Sequence, residues 1–330
     1  MGSGGDEQIG ALRQVREMHF QISHRMNYTY SQPVFIEPLA VRLRPRCNSM
    51  QRVEHFSLDV APTPAGIGEC IDLDGNNIAT VWFDGLHDSL TISATSQVEV
   101  LPTDPFKYVV TEEKTLRLPV IYPQPYWSAL EQYLRRQYGS SQVEHFVQPI
   151  AEESEGQTIP FLRNLTVVIY EQFERVFRET GDPMTPNETI AQHRGACRDL
   201  AVLFIECCRN VGLAARFVSG YAHEEVEDAF ERRHMHAWVE AYLPGGGWRG
   251  FDPSLGLAVA DRHVAVAASA DPAYAAPTSG TFWGTGVESK IEYEVTVSCS
   301  SPSQSSIDDQ PMVSGHLKSN QGYVNHDHCG

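Results

Sequence analysis

Residues 234–243 (HMHAWVEAYL) alternate between apolar side chains and polar or aromatic ones, which is the pattern of a β-strand with two different faces. The next four residues, PGGG, are typical of a turn, and residues 248–253 (WRGFDP) have the pattern of a returning strand. The sequence therefore predicts an antiparallel hairpin, and the register of that hairpin decides which side chains share a face.

A helix is predicted upstream, where apolar residues recur at helical spacing after Cys197 and the pattern stops at Gly212. Cys197 would lie in the first turn, where the partial positive charge of a helix N-terminus lowers the pKa of a thiol. The unpaired backbone N–H groups of that turn can also hold an oxyanion. Most buried cysteines are simply small apolar side chains, and we interpret Cys207 and Cys208 in that way.

Two residues of the hairpin can complete a thiol nucleophile, since a histidine takes the thiol proton and a carboxylate orients the histidine. With a four-residue loop, His236 and Asp252 would lie on opposite sides of the sheet. With a three-residue loop, Leu243 pairs with Gly247, and His236 and Asp252 become diagonal neighbours on one face. We therefore expect an odd-length loop or a bulge, with one glycine in the left-handed conformation.

Histidines at positions 234 and 236 also allow a second hypothesis, a metal site. His223 and His263 are available as further ligands, but no third ligand stands at a recognisable spacing. We therefore expect neither a metal nor another cofactor. A metal-dependent hydrolase built on His234 and His236 stays open as an alternative.

The remaining sequence indicates two domains of an α+β protein. Short β-branched and aromatic segments with a turn at 74–77 predict an antiparallel β domain over residues 16–105, after a flexible leader over 1–15. Helical periodicity predicts helices over 126–138 and 161–178, separated by a polar surface loop over 139–156, and a capping box at 185–188 starts a short helix. Residues 106–300 form the predicted catalytic domain, and residues 301–330 a disordered tail.

Charge and cysteine content exclude several classes of partner. The formal net charge of -17 disfavours nucleic acid and anionic membranes, and no apolar run has the length of a membrane span. Seven cysteines, an odd number without zinc-ligand spacing, indicate a reducing compartment. We expect a protein of the bacterial cytoplasm.

Four segments, taken in order, resemble the transglutaminase-like superfamily, in a bacterial branch described as candidate cysteine proteases. They are residues 194–201 (RGACRDLA), 212–221 (GLAARFVSGY), 236–240 (HAWVE) and 247–254 (GWRGFDPS). Residues 16–100 resemble the β domain that accompanies this branch. The family commonly has threonine where this chain has Ser254, which is a mild departure.

The resemblance implies a papain-like core with Cys197 as nucleophile, His236 as general base and Asp252 as the residue that orients the base. We further hypothesise that Trp238 and Trp248 wall an acyl tunnel, and that Arg216 fixes the strand beside the site.

Such a site would attack an amide bond of a peptide or protein substrate and form a thioester. We expect water to resolve the thioester, which makes the enzyme a protease or amidase. An amine in place of water would make it a transglutaminase-type acyltransferase. A non-catalytic binding scaffold is the alternative from another class, although all three residues of the site are present.

Overall fold

A computed structural model describes residues 17–178, 181–223 and 235–301 of the chain. The predicted leader and all but the first residue of the predicted tail lie outside the described residues, and so does His234. Within the described ranges, none of the helices combines the length and the apolar character that crossing a membrane requires.

The described ranges form five α-helices and sixteen β-strands, which confirms the α+β class. The helices are α1 (Gln124–Leu134), α2 (Ser141–Glu153), α3 (Thr158–Gln172), α4 (Pro186–Gln192) and α5 (Cys197–Asn210). The strands are β1 (Met18–Ile36), β2 (Leu39–Val41), β3 (Gln51–Ala61), β4 (Gly66–Ile71), β5 (Asn77–Trp82), β6 (His87–Val100), β7 (Glu174–Arg175), β8 (Arg194–Gly195), β9 (Ala215–Ala222), β10 (His236–Leu243), β11 (Gly247–Asp252), β12 (Leu257–Ala258), β13 (His263–Ser269), β14 (Thr278–Ser279), β15 (Phe282–Trp283) and β16 (Ser289–Ser300).

The N-terminal strands build two antiparallel sheets, because their buried and exposed residues alternate with the period of a strand. In the first sheet, β3 pairs with β6 and β6 with β1, while β15 and β16 both pair with β1. The second sheet has the order β14-β2-β5-β4. The two sheets enclose one apolar core, which includes Met26, Leu43, Val81, Leu90 and Ile92.

The last three strands, β14, β15 and β16, return to this N-terminal unit. β16 pairs with β1 along its whole length, from Ser300 opposite His19 to Ser289 opposite Tyr30. β14 pairs with β2, and β15 with β1. Residues 278–300 therefore add strands to the N-terminal sheets, through pairings over more than 230 positions that no local pattern announces.

The second unit packs helices against one face of a five-stranded antiparallel sheet of order β12-β11-β10-β9-β13. Helix α5 is buried along nearly its whole length, and Ala237, Val239 and Ala241 of β10 belong to the same core. Each fully buried leucine or phenylalanine of this core stabilises the fold by about 1.5–3 kcal/mol. The alternate residues of β10 begin with His236 and Trp238, and Trp238 belongs to a separate apolar cluster with Val218, Ala265 and Ala268.

One local prediction was wrong, since the expected surface loop over 139–156 contains helix α2. Val143, Val147 and Ile150 are buried at helical spacing, and Ser140 caps the helix by accepting a hydrogen bond from the Gln142 N–H. The many polar residues between them form the exposed face of an amphipathic helix. The other helix predictions are confirmed with shifted ends, and the predicted capping box starts α4.

Candidate active site

Cys197 is the first residue of helix α5, and the residue as a whole is partly exposed. The preceding residue, Ala196, has no side chain that could cap the helix. Asp199 supplies the missing contact, because its Oδ2 accepts a hydrogen bond from the Ala196 N–H at 2.8 Å. The chain thus enters the helix in a fixed direction, and the N-terminal end of α5 stays open for a thiolate or an oxyanion.

The negative charge of Asp199 is balanced beside the thiol. Asp199 is fully buried, and its Oδ1 accepts hydrogen bonds from the Arg178 guanidinium and from the Met184 N–H. The ion pair with Arg178 offsets repulsion between the carboxylate and a thiolate at Cys197. It also fastens the segment before α4 to the start of α5.

The hairpin of β10 and β11 has the register that the chemistry requires. Leu243 pairs with Gly247, so the connecting loop has three residues, as predicted. Two glycines have the left-handed backbone, Gly245 with φ 86° and Gly247 with φ 72°, where one was expected. This register brings His236 and Asp252 to one face of the sheet.

A short hydrogen bond joins the two residues: His236 Nε2 donates to Asp252 Oδ2 at 2.6 Å. Asp252 is fully buried, and its other oxygen, Oδ1, accepts from the Ser254 N–H at 3.0 Å, the Ser254 hydroxyl at 2.8 Å and the Leu255 N–H at 3.2 Å. Burial alone would raise the pKa of Asp252. The charge and hydrogen bond of His236, together with His263, hold that pKa well below its ordinary value.

The thiol of Cys197 interacts with the same imidazole. Burial raises the pKa of Cys197, but the hydrogen bond and charge of His236, together with the Ala237 backbone, outweigh burial and lower it. Burial likewise lowers the pKa of His236, and the charge and hydrogen bond of Asp252, with a contribution from Cys197, raise it to about 10. Since Nε2 of His236 is bonded to Asp252, Nδ1 is the nitrogen that faces the thiol. The arrangement favours a thiolate–imidazolium pair.

A second histidine joins the site, and sequence reasoning gave it no role beyond a possible metal ligand. His263, the first residue of β13, donates from Nε2 to Asp252 Oδ2 at 2.9 Å and is 4% exposed. No motif marks it, because its proximity arises from the pairing of β13 with β9. Its position after a turn at the start of a strand is the only local signal.

His236, Asp252 and His263 are the one group of three metal-capable side chains found close together in the described ranges, with ligand atoms within 4.8 Å of one another. Two ligands of a tetrahedral zinc ion, each about 2.0–2.1 Å from the metal, are roughly 3.3 Å apart. The His236 and Asp252 atoms are 2.6 Å apart, which fits a hydrogen bond. Each Nε2 carries a hydrogen towards the carboxylate and has no lone pair left for a metal.

The two tryptophans and the arginine proposed as supporting residues occupy different places. Trp238 is 1% exposed, stacks on His236 with ring centroids 6.3 Å apart, and meets His263 edge-on at 5.1 Å. Trp248 is the second residue of β11, about 13 Å along the strand from Asp252. It packs under the Arg216 guanidinium, which lies 4.1 Å from the ring centroid. The structure therefore brings Trp238 to the site, while Trp248 and Arg216 lie further along the sheet.

Gly220 of β9 lies opposite His236 and makes room for Trp238. A Cβ at this position would lie 2.1 Å from the Val264 carbonyl oxygen and 2.7 Å from the Trp238 ring. We expect Gly220→Ala to lower the free energy of unfolding by about 1–3 kcal/mol, the usual cost of overpacking. Urea denaturation measures this loss. The matched change Gly68→Ala, whose Cβ would meet no atom closer than 3.7 Å, should cost under about 0.5 kcal/mol; equal losses would contradict the steric explanation.

Two family matches cover the two units of the fold. Residues 20–99 match the bacterial transglutaminase-like N-terminal region, and residues 144–253 match the transglutaminase-like superfamily. The second match contains Cys197, His236 and Asp252.

Relatives at full length share both units. An uncharacterized protein of Mycobacterium tuberculosis is 28% identical over 290 residues, which is 84% of this chain and 92% of the relative. One of Mycobacterium leprae is 25% identical over 275 residues, 81% of this chain and 94% of the relative. The crystal structure of a candidate cysteine protease from Cytophaga hutchinsonii has the same fold, with a TM-score of 0.64 and 22% identity over 90% of this chain and 93% of that one. With family matches over more than half of its length, the chain belongs to the transglutaminase-like superfamily.

Proposed function

We propose that this protein is a cysteine-nucleophile enzyme that cleaves amide bonds of peptides or proteins through a thioester intermediate. The observation that carries the proposal is the thiol of Cys197, whose pKa is lowered by an imidazole that is itself hydrogen-bonded to a buried carboxylate at 2.6 Å. The superfamily and the shared fold support a cysteine-type enzyme in general.

In the first half of the reaction, the Cys197 thiolate attacks the amide carbonyl carbon and a tetrahedral oxyanion forms. The N–H of Cys197 stands in the first turn of α5, where backbone donors have no acceptor within the helix, and it can stabilise that oxyanion. The His236 imidazolium then gives the Nδ1 proton to the leaving amine. The C–N bond breaks and a thioester with Cys197 remains.

In the second half, His236 is neutral and its Nδ1 can accept a proton. It takes one from a water molecule, which attacks the thioester carbonyl carbon. The C–S bond breaks, a carboxylic acid leaves, and the thiolate–imidazolium pair is restored. Throughout both halves, Asp252 keeps the other proton of His236 on Nε2.

Water is the acceptor that we favour, in keeping with the branch of the superfamily that the sequence resembles. An amine acceptor would use the same thioester and would yield a new amide. The choice between water and an amine depends on which acceptor reaches the carbonyl carbon of the thioester.

We also propose a reducing compartment, the bacterial cytoplasm. The six cysteines within the described residues carry thiols and not disulfides, and two of them, Cys47 and Cys70, are exposed. An oxidising compartment would put exposed thiols and a reactive Cys197 at risk of oxidation.

Hydrolysis is tested with a panel of N-acetylated peptidyl coumarin amides and with intact-protein mass spectrometry, which detects an acyl adduct on Cys197. We expect coumarin release without any added amine. Cys197→Ala should lower the release by at least about a thousandfold, and Cys70→Ala, which changes an exposed thiol of the β domain, should leave it unchanged.

Other outcomes decide between the alternatives. Product that forms only when a primary amine such as dansylcadaverine is added would replace hydrolysis by acyl transfer. Release that survives Cys197→Ala but is abolished by a chelator would point to a metal hydrolase. The absence of both adduct and turnover across the panel would favour the binding scaffold.

A further inference from the structure

Asp252 stands between two imidazoles, and only one of them faces the thiol. We propose that His263 is a positioning residue for this site, and that the N-terminal β domain sets its place through Gln51. The proposal rests on the proposed function and adds to it a second histidine and a task for the β domain.

The two imidazoles share one oxygen of Asp252. Oδ2 of Asp252 accepts from His236 at 2.6 Å and from His263 at 2.9 Å, so the position of this oxygen depends on both rings. Three donors hold Oδ1 of the carboxylate, but without His263 the only donor at Oδ2 would be the imidazole that this oxygen has to orient. A second, independent donor removes that circularity and fixes the direction of the His236 ring.

The two ring nitrogens of His263 have different surroundings. A carboxylate accepts hydrogen bonds, so the proton of this ring must be on Nε2. The other nitrogen, Nδ1, is buried without a hydrogen-bond partner within the described ranges. A histidine that served only for packing would leave this nitrogen unsatisfied for no gain, and an apolar residue would fill the space better. The contact with Asp252 is what the histidine contributes.

The strand that carries His263, β13, is held in place by the β domain. It is the end strand of its sheet, and its outer edge would leave backbone groups unpaired. Gln51, from the start of β3, covers that edge like a neighbouring strand. Its Nε2 donates to the Ala265 carbonyl oxygen at 2.8 Å, and its Oε1 accepts from the Ala265 N–H at 2.8 Å.

The same device recurs further along the strand. The buried side-chain amide of Asn76, which lies between β4 and β5, donates to the Ala268 carbonyl oxygen and accepts from the Ala268 N–H, both at 2.8 Å. Gln51 and Asn76 therefore hold β13 at two points. Because Ala265 is two residues from His263, the β domain controls where that imidazole meets Asp252.

The test compares His263→Leu, which removes the donor, with His263→Gln, which places an N–H near the position of Nε2. The rate of Cys197 alkylation by iodoacetamide is followed by mass spectrometry from pH 5 to pH 10. We expect His263→Leu to raise the midpoint of the profile by about one pH unit, a tenfold slower reaction below it, and His263→Gln to restore the wild-type profile. Gln51→Leu should shift the midpoint in the same direction by a smaller amount, and Gln97→Leu, at an exposed position of β6, should not shift it.

The protons on Nε2 of the two histidines can also be observed directly, in addition to the alkylation rates. In wild-type protein, proton NMR should show the Nε2–H resonances of both His236 and His263 at low field, and the second should vanish in His263→Leu. An unchanged profile in His263→Leu, a shift that His263→Gln does not reverse, or a His263 ring that carries no proton on Nε2 would overturn the proposal. Because the NMR and alkylation readouts need no substrate, failure of amide hydrolysis in the wild type would refute the proposed function separately.

Discussion

Cys197 is expected to react with iodoacetamide at a nearly constant rate from about pH 6 to pH 9, whereas an ordinary thiol speeds up about tenfold per pH unit until the pH approaches its pKa of about 8.5. The reason is the direction of the two pKa shifts at the site. His236 lowers the pKa of Cys197, so the thiolate persists into acid, and the raised pKa of His236, about 10, keeps the imidazolium present into alkali. The reactive pair therefore exists over the whole interval.

Replacement of His236 by alanine should abolish this plateau. Without the imidazolium, burial and the charge of Asp252 raise the pKa of the thiol, and only the Ala237 backbone and the helix terminus still lower it. An ordinary thiol with a pKa of about 8.5 is under roughly 1% ionised at pH 6. A more basic thiolate is also a better nucleophile, and this offsets part of the decrease in rate that the smaller ionised fraction causes. We expect a net decrease of at least about tenfold at pH 6, followed by a steep rise with pH.

Mass spectrometry of the alkylated peptides gives the rate for each cysteine in the same sample. Cys70 is exposed and lies in the β domain, outside the site, so it serves as the internal standard for an ordinary thiol. If Cys197 and Cys70 of the wild type followed the same pH profile, the thiolate–imidazolium pair would be refuted. If His236→Ala kept the plateau, some other group would have to ionise the thiol.

Much of the site follows from local sequence, because its parts lie on regular elements. Helical spacing after Cys197 places the thiol at a helix start, since α5 has to bury its apolar stripe. Alternation in β10 and the glycine-rich turn fix the register of the hairpin, because a slip by one residue would exchange its two faces. The helix start and the hairpin register depend only on residues close together in the sequence, and the hairpin register brings His236 to Asp252.

Other parts depend on pairings between distant segments, and the sequence does not announce them. His263 reaches Asp252 only because β13 pairs with β9. The return of β16 to β1 depends on the same kind of long-range pairing. Helix α2 is a different case, since Val143 and Ile150 carry a readable stripe that the surrounding polar residues obscured.

Asp252→Asn is expected to have the largest effect of any single change that keeps the shape of the site. The Oδ1 side of the carboxylate accepts from the Ser254 N–H, the Ser254 hydroxyl and the Leu255 N–H, so the amide oxygen of an asparagine will occupy that side. The amide nitrogen then faces Nε2 of His236 as a donor. His236 must move its proton to Nδ1, the nitrogen that faces the thiol, and it can no longer accept the thiol proton.

We therefore expect the hydrolysis rate of Asp252→Asn on the best coumarin amide to fall by about 10⁴-fold, the loss that the same change causes in serine protease triads. The free energy of unfolding should fall by about 2–4 kcal/mol, since two buried imidazoles lose their anionic partner. Asp59→Asn, at an exposed position of β3, controls for the substitution and should change stability by less than about 0.5 kcal/mol. The decisive comparison is the imidazole tautomer, read by nitrogen NMR. A variant that retains activity with His236 still protonated on Nε2 would show that the carboxylate does not set the proton of the base, whereas a shift to Nδ1 with loss of turnover ties the chemistry of Cys197 to one oxygen of Asp252.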